Sequence, residues 1–431
     1  MAQVTTLKNG ARVLYAPMKG TNAATLLVLF HIGSRHEDMK VWGGSHFIEH
    51  LMFKGTKKRP KTIDISKELD QYGAEYNAYT GKDLTGYYVK IAGDRIPVAV
   101  DLLEDMLFHS QFDATEMRKE KGVIIEEIKM YEENPIMHLE DLLEEAVFEG
   151  HELGRNIAGT AKSMTDMKRA DVVAYRDRYY TPDNMIVVLA GSYSKETASL
   201  VEKRFGAVKA SKGGRVQVPY HGKVQQGIRV RRQKKEVEQA QISLGFPIPG
   251  REHKDSAALR LMGLILGGTM SSRLFIEVRE KRGLCYTVRA GMDQYEDCGL
   301  FSVRAGLDAK RMTLAMKTIV DELKRISKSG VTAAEVKMAK ENVHGSMTLR
   351  LEDSSDRAEF YARQLLFRGK AESPEDRLQE LMKVTAADVQ RVAKAYLDFS
   401  KLSIAAIGPY ASDAEILAHF PKDVISAKKV K

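Results

Sequence analysis

The hydrophobic and polar positions of residues 72–107, "YGAEYNAYTGKDLTGYYVKIAGDRIPVAVDLLEDML", read as strand, turn, strand, loop and helix. Residues 282–326 repeat that order with similar alternation. The helical pattern of 114–128 then lines up with 333–347, and 170–191 lines up with 387–408, so each copy ends in a helix followed by an apolar strand. The copies are offset by about 218 residues, a period that means two domains and not a solenoid. The expected fold is α+β: two similar domains from an internal duplication, each a mostly antiparallel mixed sheet with helices packed on one face. The divisions fall at 1–208 and 227–431. Between them, 209–226 reads as a linker, within a stretch mixing glycine, proline and charge.

Composition changes this picture little. The chain has 431 residues, 43% hydrophobic and 29% charged, which is the make-up of a soluble globular protein. Its longest apolar runs, "TLLVLF" (25–30) and "MIVVLA" (185–190), are too short to span a bilayer, so no membrane partner is expected. The opening "MAQVTTLKNG" lacks an apolar signal core, and two cysteines, Cys285 and Cys298, cannot make a disulfide framework. Both points favour the cytoplasm, with the thiols buried or facing each other across a hairpin. The net charge of +9 is scattered, with one basic cluster in the tail "SAKKVK", so no nucleic-acid partner is expected.

The chemistry concentrates in "GGSHFIEHLMFKG" (43–55). Ser45 reads as an N-cap, and Phe47 and Leu51 recur at helical spacing. On such a helix His46 and His50 share a face at the spacing two ligands of one metal ion need. Glu49 lies beside them, the reverse of the His-Glu-x-x-His order with the same components. A catalytic zinc site needs a third protein ligand. His31 and His36 lie in a separate loop, so carboxylates are the better source. A second helical pattern, 116–135, carries Glu120 and Glu127 seven residues apart on one face. The second copy serves as a control. Ala339 and Ser346 stand where Glu120 and Glu127 would be, and "ALRLMGLILGG" (258–268) has neither histidine nor glutamate. A fold that tolerates losing all these groups does not need them for packing.

At this point the sequence resembles the insulinase/pitrilysin family of inverted-zincin metallopeptidases, in particular its short bacterial branch similar to the mitochondrial processing peptidase. The resemblance runs from "LKNGARVLYAP" through "GSRHED", "GGSHFIEHLMFKGTKKRP", "GAEYNAYT" and "EKGVIIEEIKMYEENP" to "GGTMSSRLFIEVREKRGLCYTV". It implies the processing-peptidase metallohydrolase fold and one Zn2+ per chain on His46, His50 and Glu127. Glu49 would be the general base toward water, and Glu120 would orient a ligand. The resemblance also implies an edge strand, "EYNAYT", on which a peptide substrate lies extended, with Asn77 and Ala78 bonding its main chain. Arg279 and Tyr286 in "VREKRGLCY" would stabilise substrate carbonyls and the oxyanion.

Family members enclose substrates between two bowls of two domains each, so this chain would supply one bowl. That implies a homodimer, or a pairing with a related second subunit, in which Arg279 and Tyr286 reach the partner's zinc site. The activity implied is zinc-dependent endopeptidase cleavage of peptides or unfolded segments. The alternative is a catalytically silent structural or substrate-binding subunit of a processing-peptidase-like complex. The complete ligand set argues against it.

Overall fold

The computed structural model describes residues 2–210, 218–222 and 225–426. The linker positions 211–217, 223 and 224, and all but the first residue of the basic tail, lie outside the described residues. The first half of the chain runs β1 (Gln3–Thr6), β2 (Arg12–Pro17), β3 (Ala23–Phe30), α1 (Gly44–Met52), α2 (Thr62–Asp70), β4 (Glu75–Thr80) and β5 (Thr85–Ala92). It continues with α3 (Ile96–His109), α4 (Ala114–Glu133), α5 (Pro135–Val147), α6 (Ala161–Asp166), α7 (Arg169–Tyr179), β6 (Met185–Gly191) and α8 (Lys195–Gly206). The second half holds β7 (Arg229–Lys234), β8 (Gln239–Pro249), α9 (Ser256–Gly263), β9 (Cys285–Gln294) and β10 (Cys298–Asp308). After these come α10 (Met312–Ser329), α11 (Ala333–Arg350), α12 (Ser354–Arg368), a helix at Ala386–Tyr396, and β11 (Ser403–Gly408).

The strands form two mixed sheets of one topology. The first is ordered β1-β2-β6-β3-β5-β4 and the second β7-β11-β8-β10-β9. Leaving out β1, the two orders match strand for strand. Each has a single parallel pair, β2 with β6 and β7 with β11, and is otherwise antiparallel. The duplication read from the sequence is therefore a duplication of sheet topology. Cys285 begins β9 and Cys298 begins β10, at opposite ends of their hairpin, so they do not face each other.

A helical layer covers one face of each sheet, as the sequence leads one to expect. In the first sheet, Val13, Leu26, Val28, Phe30, Val187 and Leu189 point to that face and share a core with residues of α1, α3, α7 and α8. The alternate residues, Leu14, Leu27, Leu29, Ile186 and Val188, point the other way and are buried as well. That second face is covered by α12, through Ala358, Tyr361, Ala362, Leu365 and Leu366. In the second sheet α5 plays the same part, with Leu139, Leu142, Leu143 and Val147 packed on Leu300, Ala405 and Ile407.

The chain therefore divides into two compact units that depart from a linear division at 208 and 227. One comprises 1–129, 156–218 and 346–374; the other comprises 130–155, 219–345 and 375–431. Each half of the sequence lends one helix to the other half's sheet. The physical reason lies in β6, "MIVVLAG", and β11, "SIAAIG". Both are buried along their whole length and so need cover on both faces. No helix among the described residues is long and apolar enough to cross a membrane.

Candidate metal centre

The first unit holds α1, which begins one residue after Gly43. That glycine has φ +92°, and a Cβ there would meet the Ala158 carbonyl oxygen at 2.5 Å. Ser45 is not the N-cap: it lies inside the helix, with its hydroxyl 3.1 Å from that of Tyr175. The cap comes from Glu37, a buried residue whose two carboxylate oxygens accept the backbone N–H groups of Gly43 and Ser45, both at 2.7 Å. Burial pushes the Glu37 carboxyl up to about 7, against the pull of those two N–H donors.

One turn of α1 separates His46 from His50, and their ring centroids are 4.6 Å apart. The α4 residues Glu120 and Glu127 approach from the side. Glu127 places one oxygen 3.8 Å from His46 Nε2 and the other 3.6 Å from His50 Nε2. These gaps are too long for hydrogen bonds. They approach the ~3.4 Å that separates two ligand atoms on one tetrahedral ion with bonds of ~2.1 Å. Ligand atoms of His46, His50 and Glu127 all lie within 4.8 Å of one another, and these three form the single such cluster among the described residues. His31 and His36 lie outside it.

The electrostatics suit a cation. Burial, helped by the charge of His50, pushes His46 down to about 4, so it is neutral and ligand-competent at neutral pH. Burial also works against charging His50, but the hydrogen bond from its Nδ1 to Glu120 at 2.8 Å and the nearby carboxylates outweigh it and raise its pKa. The same bond leaves His50 Nε2 facing Glu127. Without a proton or a metal ion between them, that nitrogen lone pair would meet an anionic oxygen. Two imidazoles and a carboxylate, with a second carboxylate orienting one imidazole, match the donor chemistry of a catalytic zinc site. The residues fit the ion.

Glu49 completes the cluster. Burial raises its pKa, while a hydrogen bond from the Thr80 hydroxyl and the nearness of His50 act the other way. Thr80 ends β4, the edge strand of the first sheet, which packs beside α1. Asn77 and Ala78 lie in that strand, Asn77 exposed and Ala78 buried. The Asn77 Oδ1 accepts the Ala78 N–H at 2.9 Å.

Arg279 and Tyr286 belong to the second unit, which is described separately. The Arg279 guanidinium stacks on both the Tyr286 ring (5.2 Å) and the Phe275 ring (4.8 Å). Tyr286 is 69% exposed, unusual for a tyrosine in a strand. The neighbouring Cys285 thiol is pushed up to about 11 by burial, which makes it unreactive.

Three residues at the centre escape a reading from sequence: Glu37, Thr80 and Lys54, whose ammonium lies 2.6 Å from the second oxygen of Glu120. Lys54 and Thr80 act through contacts between segments distant in sequence, and Glu37 through contacts six and eight residues on, across the loop that precedes α1. The nearest signal is that Glu37, Thr80 and Lys54 stand in or next to "GSRHED", "EYNAYT" and "HLMFKG", the stretches already marked for chemistry.

A two-domain α+β chain with a His-x-x-Glu-His helix and a carboxylate from a second helix belongs to a recognisable class, and comparison with known proteins identifies it. A model of the insulinase peptidase family M16 matches residues 12–161, and one of the peptidase M16 inactive domain matches 166–343. An "uncharacterized zinc protease" of Mycobacterium tuberculosis is 36% identical over 411 residues, 95% of this chain and 93% of that protein. The "uncharacterized zinc protease" YmxG of Bacillus subtilis is 35% identical over 391 residues, 90% of this chain and 94% of its own length. The crystal structure of a protease from Helicobacter pylori superposes with a TM-score of 0.89 at 26% identity, covering 95% of this chain and 99% of that one. The chain belongs to the insulinase peptidase family, M16. The inactive-domain match starts beyond Glu127; it includes Ala339, the counterpart of Glu120 in the second copy, and ends before Ser346.

Proposed function

We propose that this protein is a zinc-dependent endopeptidase that cleaves peptides or unfolded segments, working in the cytoplasm as a homodimer. The observation that carries this reading is the convergence of His46, His50 and Glu127, with Glu49 beside them. His46, His50 and Glu127 would hold one zinc ion, which when bound polarises a carbonyl and makes water more acidic. Glu49 takes the proton of the attacking water and hands it to the leaving amine. Its raised pKa suits both halves of that task. Glu120 fixes the ring of His50. The substrate main chain adds to β4 as a further strand at Asn77 and Ala78, after the Asn77 side chain leaves the Ala78 N–H. Arg279 and Tyr286, contributed by the second copy, meet the oxyanion. The exposure of Tyr286 and the guanidinium stacked on it support that assignment.

Metal content and cleavage of a quenched peptide library, measured for the wild type and Glu49→Gln, test the reading. The expected result is about one zinc per chain in both proteins, with cleavage by the variant lower by about 10²- to 10⁴-fold. A zinc-loaded wild type that cleaves nothing would sink the peptidase assignment. A Glu49→Gln protein as active as wild type would remove Glu49 as the base.

A further inference from the structure

We infer that Lys54 is a positioning residue that decides which of the two α4 glutamates is left for the metal ion. The inference rests on the metal-centre reading above. Glu120 and Glu127 stand two turns apart on one face of α4, and their side chains are chemically identical. Their surroundings differ. Glu120 has both oxygens engaged: one accepts from His50 Nδ1 at 2.8 Å, the other from Lys54 Nζ at 2.6 Å. The two oxygens of Glu127 face the Nε2 atoms of His46 and His50.

Lys54 lies two residues past the end of α1, and its ammonium and the His50 imidazole reach the two oxygens of one carboxylate. For Glu120 to swing toward the metal position it would have to abandon a cation whose side chain is only 23% exposed. With both oxygens held, Glu120 keeps His50 Nδ1 as its donor and leaves Nε2 as the ligand atom. Glu127 is then the carboxylate free to bind.

The chain after Lys54 is built to hold that ammonium in place. Gly55 has φ +117°, and a Cβ there would meet the Pro60 carbonyl oxygen at 2.4 Å. Thr56 bridges to Ser110. The buried Arg59 guanidinium is bound by Glu68 at 2.6 Å, Asp101 at 2.7 Å and Asp105 at 2.8 Å. None of these groups belongs to the metal cluster, and together they fix the turn from which Lys54 reaches back.

The test is the affinity of the metal-free full chain for Zn2+ and Co2+, measured by chelator competition. Lys54→Met is expected to weaken binding by about 10- to 100-fold, while Lys54→Arg stays within a few-fold of wild type. In a Glu120→Gln background, adding Lys54→Met is expected to cost nothing further, because Lys54 acts through Glu120. Lys54→Gln replaces the methionine variant should that protein fail to fold. Wild-type affinity in Lys54→Met, or a loss that persists in full without Glu120, would overturn the assignment. A wild type that binds neither metal would overturn it together with the metal-centre reading, and the wild-type titration separates those two failures.

Discussion

Thr80 shows how a single hydroxyl joins Glu49, the base of the proposed reaction, to the strand beside it. Its hydroxyl donates to Glu49 and so holds the carboxylate in one orientation. Thr80→Val is expected to lower kcat by about 10- to 100-fold through misplacement of the base, with zinc content unchanged. Steady-state kinetics with metal analysis checks this, and an unchanged kcat counts against the role. Glu37 acts at the other end of the same helix, and its effect depends on pH. Its carboxyl is raised to about 7 when folded, against an ordinary 4.5. Between those values the folded protein keeps a proton that the unfolded chain has released. The stability this group contributes is therefore full below about 4.5 and lost as pH rises to about 7. Glu37→Gln lacks that loss, so its stability relative to wild type should improve by about 3 kcal/mol between pH 4.5 and 7. Urea unfolding of both metal-free proteins across that range reads the difference, and a pH-independent gap refutes it. His46, Glu49 and His50 are legible in the sequence because their spacing is local to one helix, whereas Glu127, on a second helix, is assigned as a ligand only through the family resemblance. Lys54 and Thr80 are not legible, because each meets its partner through the tertiary fold, and the Glu37 contacts are made from an irregular segment with no periodicity to read.

Helices and strands show the same division between local and long-range order. The alternation of 72–107 becomes β4, β5 and the helix α3, and its repeat becomes β9, β10 and α10. Those elements follow from local periodicity. What local pattern could not assign was the cover on the second face of each sheet. The unbroken apolar runs of β6 and β11 signal that both faces are buried, yet they do not say which helix does the burying. The helix comes from the opposite half of the chain in both cases. A fragment of residues 1–226 therefore lacks α12, and Leu14, Leu27, Leu29, Ile186 and Val188 would face water. It is expected to aggregate alone and to become soluble when co-produced with 227–431. Solubility trials and size-exclusion chromatography decide this. A monomeric 1–226 fragment with a cooperative melt would show that α12 is dispensable. In the intact chain, Leu365→Ala should cost about 2–5 kcal/mol of stability by leaving a cavity on the same face.

Among the described residues, one cluster of potential metal ligands lies in the first unit, and the stacked pair Arg279 and Tyr286 lies in the second. The homodimer proposed here assigns the pair of one copy to the ligands of the other, and that makes a quantitative claim. Glu49→Gln alone lacks the base at every site, and Arg279→Ala alone lacks the guanidinium at every site, so each protein should be nearly inactive. Mixed in equal amounts with free subunit exchange, half the dimers contain one chain of each kind. In such a dimer the Arg279→Ala chain keeps its own Glu49 and receives an intact Arg279 from its partner. Its other site lacks both groups. About a quarter of all sites are then complete, so activity should recover to about a quarter of wild type. If Arg279 instead serves the metal site of its own chain, no mixture contains a complete site and activity stays at the level of the single variants. Fluorescence energy transfer between labelled chains verifies the exchange, and with exchange verified the recovered rate separates the shared site from the self-contained one.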